Sequence, residues 1–404
     1  MAVEIRAIGP DEFEAMRRTM GLVFGFDPPE GEGRFLRVLP LDRTRCGFDG
    51  GTMISTSGAF SLEMTVPGGQ VACGGTTAVA VVPTHRRQGV LREMMSAHLA
   101  DVKEHGEPIA ALWASDSAIY GRFGYGCASI CYDFEVEPQH TAANRLAPEP
   151  GQSRLIDRKE ALAIVPPLYD RLRMGIPGFF ARTPEWWEDR SFRESGTSGG
   201  GSTALRYGVV DGDDGISGFA SYRINAHWDE GHGSGKVTVH DLFAETPEAW
   251  AGIWSLVTNQ DLVARAVGGL RPPWDPIFDL LAGTRRARAY RYDALWVRLM
   301  DVAAALAARS YSAPLDLVLG VEDPLGDATG SYRLRADSDG AECAPTTDEP
   351  TVLLDLEDLS AGYMGRPRFR QWARVGRLRG AGDALAALDA AFTWDPQPWC
   401  PEIF

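Results

Sequence analysis

The chain contains 404 residues, carries a formal net charge of −15 and is 44% hydrophobic. This length exceeds what one ordinary hydrophobic core organises, so two or three globular domains are expected. The acidic balance argues against nucleic acid as a partner, because nucleic-acid binding requires a basic surface. There is no run of about 18 apolar residues, so we expect no membrane-spanning helix and no membrane partner.

The first residues, Met1-Ala2-Val3-Glu4-Ile5-Arg6, lack the basic and then apolar pattern of a secretory signal, so a cytoplasmic location is expected. Six cysteines are scattered along the chain without a Cys-x-x-Cys pair. In a cytosolic chain this spacing indicates reduced thiols rather than a disulfide framework.

The chain before residue 79 predicts a helix followed by strands joined by turns. Pro10-Asp11 marks the start of a helix that carries Phe13 and Met16. Residues 51–72 alternate like strands, and Val66-Pro67-Gly68-Gly69 is typical of the turn between them.

The most informative segment joins an apolar strand, Val79-Ala80-Val81-Val82, to the basic turn Arg86-Arg87-Gln88-Gly89. That turn opens a helix whose apolar residues recur at helical spacing through Val102, with Gly106 at its end. The start of a helix leaves backbone N–H groups unpaired and carries partial positive charge. A glycine lets an anion approach the backbone, and the arginines add fixed charge. The segment therefore predicts a phosphate cradle; an ordinary strand–helix connection with two surface arginines is the alternative.

Two other phosphate-binding motifs are excluded here, because no Gly-Lys-Ser/Thr follows the turn and no Gly-x-Gly precedes the helix. The spacing Arg86-x-x-Gly89 instead resembles the acetyl-CoA pyrophosphate loop of the GNAT acetyltransferases. After the apolar strand 109–114 and the cap residues Ser115-Asp116-Ser117, the segment Tyr120-Gly121-Arg122-Phe123-Gly124-Tyr125 is also similar to that family. The resemblance implies that Tyr120 is the general acid that protonates the departing CoA thiolate. A phenol with a pKa of about 10 is protonated at neutral pH and suits that role.

The alternative for Tyr120 is an aromatic core residue on a short helix. Phe123 and Tyr125 are assigned to packing.

A closer resemblance is to the enhanced intracellular survival (Eis) acetyltransferases of actinobacteria. It is carried by Pro83-Thr84-His85-Arg86-Arg87-Gln88-Gly89-Val90-Leu91-Arg92 and by Ile119-Tyr120-Gly121-Arg122-Phe123-Gly124-Tyr125-Gly126. Asp293-Ala294-Leu295-Trp296-Val297-Arg298-Leu299-Met300-Asp301 and the apolar run 385–392 are also similar to that family. The similarity covers essentially the whole chain.

This resemblance implies an α/β (α+β) chain with tandem GNAT-like domains at residues 1–146 and 147–290 and a sterol-carrier-protein-like domain at 291–404. Pro148-Glu149-Pro150-Gly151 marks the first boundary by composition. The central domain has no second Arg-x-x-Gly turn in the right setting, so we expect it to bind no CoA. The last domain has an architectural role in the family.

Local signals predict several elements of these domains. Residues 129–136 are expected to be a strand of the first domain. Pro166-Pro167 is typical of the first turn of a helix, and Thr246-Pro247 of a helix start. Asp301 is expected to cap a helix over residues 302–309.

The resemblance implies acetyl-CoA as the cosubstrate, held by the strand, by the basic turn and by the residues after the next strand. The expected contacts are Val79, Ala80, Val81, Arg86, Arg87, Gln88, Gly89, Val90, Leu91, Arg92, Ser115 and Asp116.

No metal is expected. His227-Trp228-Asp229-Glu230-Gly231-His232 holds four possible ligands, but its glycines and flanking strands indicate a hairpin turn. Asp211-Gly212-Asp213-Asp214-Gly215 lacks the spacing and the closing glutamate of a calcium-binding loop.

The final residues, Trp399-Cys400-Pro401-Glu402-Ile403-Phe404, are mostly apolar, whereas chain ends are usually polar and frayed. The pattern indicates a docked tail. In Eis enzymes the terminal carboxylate is the base that takes the amine proton, and the resemblance implies this role for Phe404. A free α-carboxylate has a pKa of about 3.3–3.7 and is a poor base, so burial or a relay through water is required. A packed tail without chemistry is the alternative.

The resemblance also implies a small-molecule substrate with primary amines. Eis-like enzymes acetylate aminoglycosides, often at several amines, and some act on lysine side chains. Phe24, Asp27 and Phe35 lie in the segment that matches the family's substrate pocket. Two alternatives remain: a lysine or polyamine acceptor, and a non-catalytic lipid-carrying protein with a vestigial GNAT core. A homo-oligomer, a hexamer, is expected by family analogy alone.

Overall fold

The computed structural model describes residues 3–27, 38–138, 143–193 and 202–404. Within these ranges no helix has both the length and the apolar character that crossing a bilayer requires.

Strands make up the larger part of the regular structure. In chain order they are β1 Glu4–Arg6, β2 Cys46–Asp49, β3 Thr52–Val66, β4 Gly69–Val81, β5 Ile109–Trp113, β6 Gly126–Cys127, β7 Ile130–Val136, β8 Ser153–Ile156, β9 Arg206–Gly212, β10 Gly215–Asn225, β11 Trp228–Asp229, β12 His232–Gly233, β13 Gly235–Ala244, β14 Val263–Arg271, β15 Arg288–Asp293, β16 Leu295–Leu299, β17 Leu315–Glu322, β18 Gly330–Asp337, β19 Gly340–Pro345, β20 Val352–Asp355 and β21 Arg379–Gly380.

Along the chain, the α-helices alternate with groups of these strands, and the last helix follows the last strand. They are α1 Phe13–Phe24, α2 Val90–Glu104, α3 Ser117–Tyr120, α4 Arg158–Arg173, α5 Pro184–Trp186, α6 Pro247–Thr258, α7 Ile277–Leu280, α8 Val302–Ala307, α9 Leu356–Tyr363, α10 Phe369–Arg374 and α11 Gly382–Phe392.

The chain divides into two compact units. The first contains the described residues of Met1–Ser129, Asp293–Pro398 and Ile403–Phe404. The second contains those of Ile130–Tyr292 and Trp399–Glu402.

The first unit contains a seven-stranded sheet in the order β1-β2-β3-β4-β5-β16-β6. Its pairs are antiparallel apart from β4 and β5, which are parallel and are connected by α2. Apolar residues of α2, among them Met95 and Leu99, form one buried cluster with Leu112 of β5 and Trp296 of β16. The unit contains a second sheet, in the order β19-β18-β17-β20-β21, whose strands lie within residues 315–380.

The second unit is built on the sheet β15-β7-β14-β13-β10-β9-β8. As in the first unit, one parallel pair, β13 and β14, is connected by a helix, here α6. The core between α6 and the sheet includes Trp254, Val257, Tyr222 and Val239. The Phe134 ring meets Trp254 edge to face at 4.8 Å.

Two strands lie in sheets that a contiguous division of the sequence does not predict. Residues 129–136 are expected in the first domain, but β7 pairs with β14 in the second unit. β16, expected in the last domain, pairs along the whole of β5 in the first unit, from Leu295 opposite Trp113 to Leu299 opposite Ile109. Each of these strands thus pairs outside the contiguous segment to which the sequence assigns it, because an open sheet edge can pair with any strand of matching length and pattern.

Most local signals are confirmed. Asp301 accepts a hydrogen bond from the Ala304 N–H at 2.9 Å, and α8 follows it. Thr246 caps α6 in the same way, through the N–H of Ala249. The segment with two histidines is a hairpin of β11 and β12.

The expectation for Pro166 and Pro167 is wrong. They lie inside α4, which begins at Arg158 after its cap residue Asp157. Interior prolines remove backbone hydrogen bonds, but the buried face of α4, including Val165 and Tyr169, offsets this loss through packing in the core.

Burial of an ion cluster gives a stability prediction for the first unit. The Arg43 guanidinium contacts Glu107 at 2.7 Å and Asp101 at 3.1 Å, and the three side chains are at most 4% exposed. Arg43→Ala would leave the buried Glu107 carboxylate without its cation and Asp101 with Arg45 as its arginine partner, and we expect it to lower the free energy of unfolding by about 3–5 kcal/mol. Urea unfolding measures this change.

The matched control is Arg333→Ala in the same unit, because Arg333 pairs with Asp316 in an exposed ion pair. Such pairs contribute about 0–1 kcal/mol, so an equal loss in both variants would contradict the prediction.

Candidate active site

The two parallel strands of the first sheet separate before they end. β4 and β5 pair at only three positions, from Cys73 opposite Ile109 to Gly75 opposite Ala111. Past this point β4 contains a bulge at Ala78, whose φ is 56° and whose carbonyl accepts a hydrogen bond from the Thr56 hydroxyl at 2.7 Å. Among the described residues, the edge of 79–81 that faces away from β3 has no strand partner. Apart from the Val81 carbonyl, which accepts a hydrogen bond from the Arg86 side chain, its backbone groups are therefore available to a ligand.

The basic turn follows β4 and opens α2 without a side-chain cap. Arg87 has a φ of 61° and Gly89 a φ of 89°, so two left-handed residues direct the backbone into the helix. Gly89 is the N-cap, and the first N–H groups of α2 have no partner within the helix. Arg86, Arg87 and Arg92 are exposed. N–H groups unpaired within the helix, the helix dipole and three cations together suit the binding of an anion.

Neighbouring side chains hold the turn in shape. The Arg86 Nε donates to the carbonyl of Val81 at 3.2 Å, and the Gln88 amide donates to the carbonyl of Thr84 at 3.0 Å. The His85 ring lies 3.4 Å from a carboxylate oxygen of Asp49 on β2. The turn is thus fixed to the sheet before a ligand arrives.

A cavity of about 740 Å³ lies over this turn and the diverging end of β4. The residues that line it are Val23, Phe24, Val79, Ala80, Val81, His85, Arg86, Arg87, Gly89, Val90, Leu91, Arg92, Ser115, Ile119, Tyr120, Arg122, Phe123, Pro324 and Leu325.

Tyr120 forms part of the wall at the end of α3. Asp116 caps this short helix by accepting from the Ala118 N–H at 2.9 Å. The tyrosine is 4% exposed, and burial raises the pKa of its phenol to about 12, although a hydrogen bond with the Ser115 side chain opposes the shift. The phenol is therefore protonated at neutral pH.

Behind Tyr120 lies a buried polar chain. The Tyr120 and Tyr125 rings meet edge to face at 6.0 Å. The Tyr125 hydroxyl lies 2.9 Å from the Thr76 hydroxyl, which lies 2.9 Å from Nε2 of His98. Burial lowers the pKa of His98 to about 4, so this histidine is neutral and the chain is a structural support.

Comparisons with known proteins match the same regions. A family model for an acetyltransferase (GNAT) domain matches residues 4–128, a second GNAT model matches 178–299, and a sterol carrier protein model matches 302–401. An uncharacterized N-acetyltransferase of Streptomyces coelicolor is 36% identical over the full length of both chains. The N-acetyltransferase Eis of Mycobacterium tuberculosis is 31% identical, covering 92% of this chain and 91% of its own. The chain belongs to the Eis family of N-acetyltransferases.

Solved structures agree with this assignment. Eis1 from Mycobacterium abscessus matches with a TM-score of 0.85 at 27% identity over 99% of this chain and 100% of its own. A GCN5-related N-acetyltransferase from Anabaena variabilis shares the fold, with a TM-score of 0.86 at 17% identity over the full length of both chains.

Membership in the Eis family confirms the predicted family, fold class and enzyme class. The protein is an N-acetyltransferase with GNAT domains, which transfer an acyl group from an acyl-CoA cosubstrate. The alternative of a lipid carrier without catalytic activity is therefore set aside.

The cavity of this Eis-family enzyme brings together most, but not all, of the residues predicted to bind substrates. Gln88 and Asp116 are not in its lining; the first supports the turn and the second caps α3. Phe24, at the end of α1, lines the cavity and is 46% exposed. Asp27 is exposed and outside the lining, and Phe35 lies outside the described residues.

Phe404 is buried, at 6% exposure, and belongs to the same compact unit as Tyr120. It is not among the described residues that line the cavity. Its catalytic role stays a prediction.

The lining also includes residues that sequence analysis missed. Pro324 and Leu325 follow β17 in the sterol-carrier-like region, far along the chain from the GNAT motifs. No motif signals their position. Ile119 and Arg122 lie close to Tyr120 in the chain, so the Tyr120 motif could have predicted that they line the cavity.

The corresponding cleft of the central GNAT-like region is occupied by side chains of its own unit. β13 and β14 pair from Gly235 opposite Val263 to Val239 opposite Gly268 and then diverge. Beyond this point Arg271 donates to the carbonyl of Leu242 at 2.7 Å, and its guanidinium lies 4.9 Å from the Trp399 ring. This filling favours the prediction that the region binds no CoA.

Gly89 provides a test of the anion site. An alanine Cβ there would meet no atom within 4 Å, but the φ of 89° strains any L-residue by about 1–2 kcal/mol. In Gly89→Ala we expect the KM for the acyl-CoA cosubstrate to rise roughly tenfold, with kcat little changed, because the turn leaves its binding geometry. Steady-state kinetics measures both constants.

The control is Gly376→Ala, since Gly376 has a similar φ of 80°, is surrounded by open space and lies outside the cavity lining. Its KM should equal that of the native enzyme. An unchanged KM in Gly89→Ala would show that the turn conformation does not limit binding.

Proposed function

We propose that this Eis-family enzyme transfers the acetyl group of acetyl-CoA to primary amines of small molecules, with multi-amine aminoglycosides as the substrate class. The observation that carries the proposal is one cavity of about 740 Å³ lined both by the anion-binding turn and by Tyr120. A cosubstrate with a diphosphate at one end and a thioester at the other fits those two features.

In this proposal the diphosphate of CoA lies on the backbone N–H groups of residues 86–92. The pantetheine amides pair with the open edge of 79–81, continuing the sheet where β5 has diverged. Ser115 contacts the cosubstrate from the cavity wall, while Gln88 and Asp116 act by holding the turn and α3. Little reorganisation is needed, because each of these elements is already fixed in place.

The chemistry we propose is direct attack of the amine on the thioester carbonyl, without an acyl-enzyme. The C–N bond forms and the C–S bond breaks, and the thiolate takes its proton from the Tyr120 phenol. The buried phenol is protonated at neutral pH and lines the cavity, so it is available as the donor. The resulting phenolate regains a proton from solvent. Holding both substrates in one cavity supplies rate through positioning.

The base we propose is the main-chain carboxylate of Phe404, as the resemblance to the family implies. Burial of Phe404 supports this role, since a desolvated carboxylate is a stronger base than a free one. It accepts the amine proton directly or through a water molecule. Glu402 is not required for this step.

The acceptor class is supported by charge and by aromatic lining. The net charge of −15 favours approach of a polycation such as an aminoglycoside. Phe24 offers a partly exposed ring on the cavity wall, and we place Asp27 and Phe35 in the same acceptor region. A lysine or polyamine acceptor is the alternative within the same chemistry.

Acetylation removes positive charge from an aminoglycoside, and on this basis we propose a role in antibiotic resistance for a cytoplasmic enzyme. The family analogy is the support for a hexamer.

Tyr120→Phe tests the general acid. We expect kcat to fall by about 10²–10⁴-fold, because the variant keeps the ring and loses the proton. Tyr125→Phe is the control: it removes another buried hydroxyl of the same cluster, and it should keep kcat while losing about 1 kcal/mol of stability.

The pH dependence of kcat is a second test of the general acid. Because the pKa of the Tyr120 phenol is about 12, its ionisation in the native enzyme should leave kcat constant up to about pH 10. An alkaline fall near pH 8 that Tyr120→Phe abolishes would contradict this assignment.

The acceptor and the base are tested together by release of CoA thiol from acetyl-CoA with an aminoglycoside panel. We expect more than one acetyl group to be consumed per aminoglycoside molecule.

The same assay tests the base. A protein extended by a few residues after Phe404 should lose activity, while the same extension before Met1 should not. Equal activity after both extensions would keep the acetyltransferase and remove Phe404 from the chemistry. Turnover of lysine or polyamines alone would favour the alternative acceptor.

A further inference from the structure

A tight turn of the sterol-carrier-like region forms part of the cavity wall. It follows β17 and contains Pro324 and Leu325, both of which line the cavity. Leu325 also packs against the apolar cluster that includes Tyr120 and Phe123. The shape of the cavity beside the general acid therefore depends on a segment outside the GNAT motifs.

The Asp323 carboxylate stabilises this turn by accepting hydrogen bonds from its backbone. The Asp323 side chain accepts the backbone N–H groups of Leu325 at 3.1 Å and Ala328 at 3.0 Å. The N–H of Asp323 in turn donates to the Thr329 hydroxyl at 3.0 Å. Asp323 thus fixes both ends of the turn, and Leu325 with them.

The same carboxylate is held by Arg298 of β16. The guanidinium contacts both oxygens of Asp323, at 3.1 Å through Nη1 and 2.8 Å through Nη2. The two side chains are 1% and 0% exposed. Burial opposes ionisation of Asp323, but the hydrogen bonds from Arg298 and from the turn outweigh it, so the pKa of this carboxyl lies below its ordinary value. A buried bidentate pair of this kind has one geometry rather than several.

Arg298 also reaches the segment that carries Tyr120. Its Nη1 donates to the carbonyl of Phe123 at 2.7 Å. Phe123 ends the single 3₁₀ turn, Gly121–Phe123, that continues directly from α3. Gly124 has a φ of 73°, and a Cβ there would lie 2.1 Å from Arg298 Nη1, so the chain is shaped to admit the guanidinium at this point.

We propose that Arg298 and Asp323 are positioning residues for the acetyl transfer: they fix the Tyr120 segment and the Leu325 wall in one arrangement, without contacting substrate. The inference rests on the proposed role of Tyr120 as the general acid. Arg298 is suited to this task because its planar fork serves two partners at once, which a lysine ammonium does not reproduce.

The experiment measures kcat for four forms of the full chain: native, Arg298→Lys, Tyr120→Phe and the double variant. Acetyl-CoA is the donor, and the amine with the highest turnover in the aminoglycoside panel is the acceptor. We expect Arg298→Lys to lower kcat by about 10–100-fold, because displacement of a catalytic group by about 1 Å has effects of this size. The KM for acetyl-CoA should change much less.

The deciding comparison is made in the Tyr120→Phe background. If Arg298 acts by positioning the Tyr120 phenol, adding Arg298→Lys should lower kcat little further, since the phenol is already absent. A purely structural role would lower kcat by the same factor in both backgrounds, and that result would overturn the inference alone. Full kcat in Tyr120→Phe itself would overturn the general-acid assignment and, with it, this inference.

Two further variants guard against misfolding. Arg43→Lys changes a buried, ion-paired arginine of the same unit outside the cavity, and it should leave kcat unchanged. If Arg298→Lys does not fold, Asp323→Asn keeps the shape of the side chain and removes its charge. Asp323→Asn should lower kcat when Tyr120 is present and lower it little further in Tyr120→Phe. An equal factor of loss in both backgrounds would refute positioning.

Discussion

The hydrogen bonding of one short strand, β5, determines how the active site is built. On one edge it pairs with β4 for only three positions, and on the other β16 pairs along its whole length. A parallel pair that separates leaves backbone groups unpaired, which is tolerated where a ligand or solvent can satisfy them. The continuous pairing with β16 holds β5 in the sheet, so that the opening toward β4 does not weaken the strand. The cleft is thus the result of unequal pairing on the two edges of β5.

The two ends of the cavity use opposite electrostatic conditions. At the turn, Arg86, Arg87 and Gly89 are exposed, so an anion meets cations and N–H groups that remain hydrated until it binds. At Tyr120 the environment is dry, and burial favours the neutral phenol. A cosubstrate that is charged at one end and neutral at the other is matched by both conditions. The filled cleft of the central region, with Arg271 and Trp399 in place of a basic turn, offers neither of them.

Local features of the fold could be predicted from sequence because neighbouring residues decide them. The limits of α2, the cap at Asp301 and the hairpin around Gly231 follow from periodicity, hydrogen-bonding side chains and turn chemistry. Pro166 and Pro167 led to a wrong prediction of where α4 begins, because the tertiary packing of this helix outweighs the lost backbone hydrogen bonds. The position of β7 and the Leu325 wall could not be predicted, since they depend on partners more than a hundred residues away, and no local pattern records which sheet edge is open. The acceptor region is the least determined part, because Asp27 lies outside the cavity lining and Phe35 outside the described residues.

The pairing of β5 with the distant strand β16 affects how the chain folds during synthesis. Trp113 meets its partner Leu295 only after the entire central region has been translated. At about 5–20 residues per second, the ribosome needs roughly 10–40 s to cover that interval. For this time the outer edge of β5 is exposed in the nascent chain, and an exposed edge is a template for pairing with other chains. The sheet of the first GNAT sequence is therefore completed only by a segment synthesised much later, and until then its exposed edge favours association of the nascent chain with other chains.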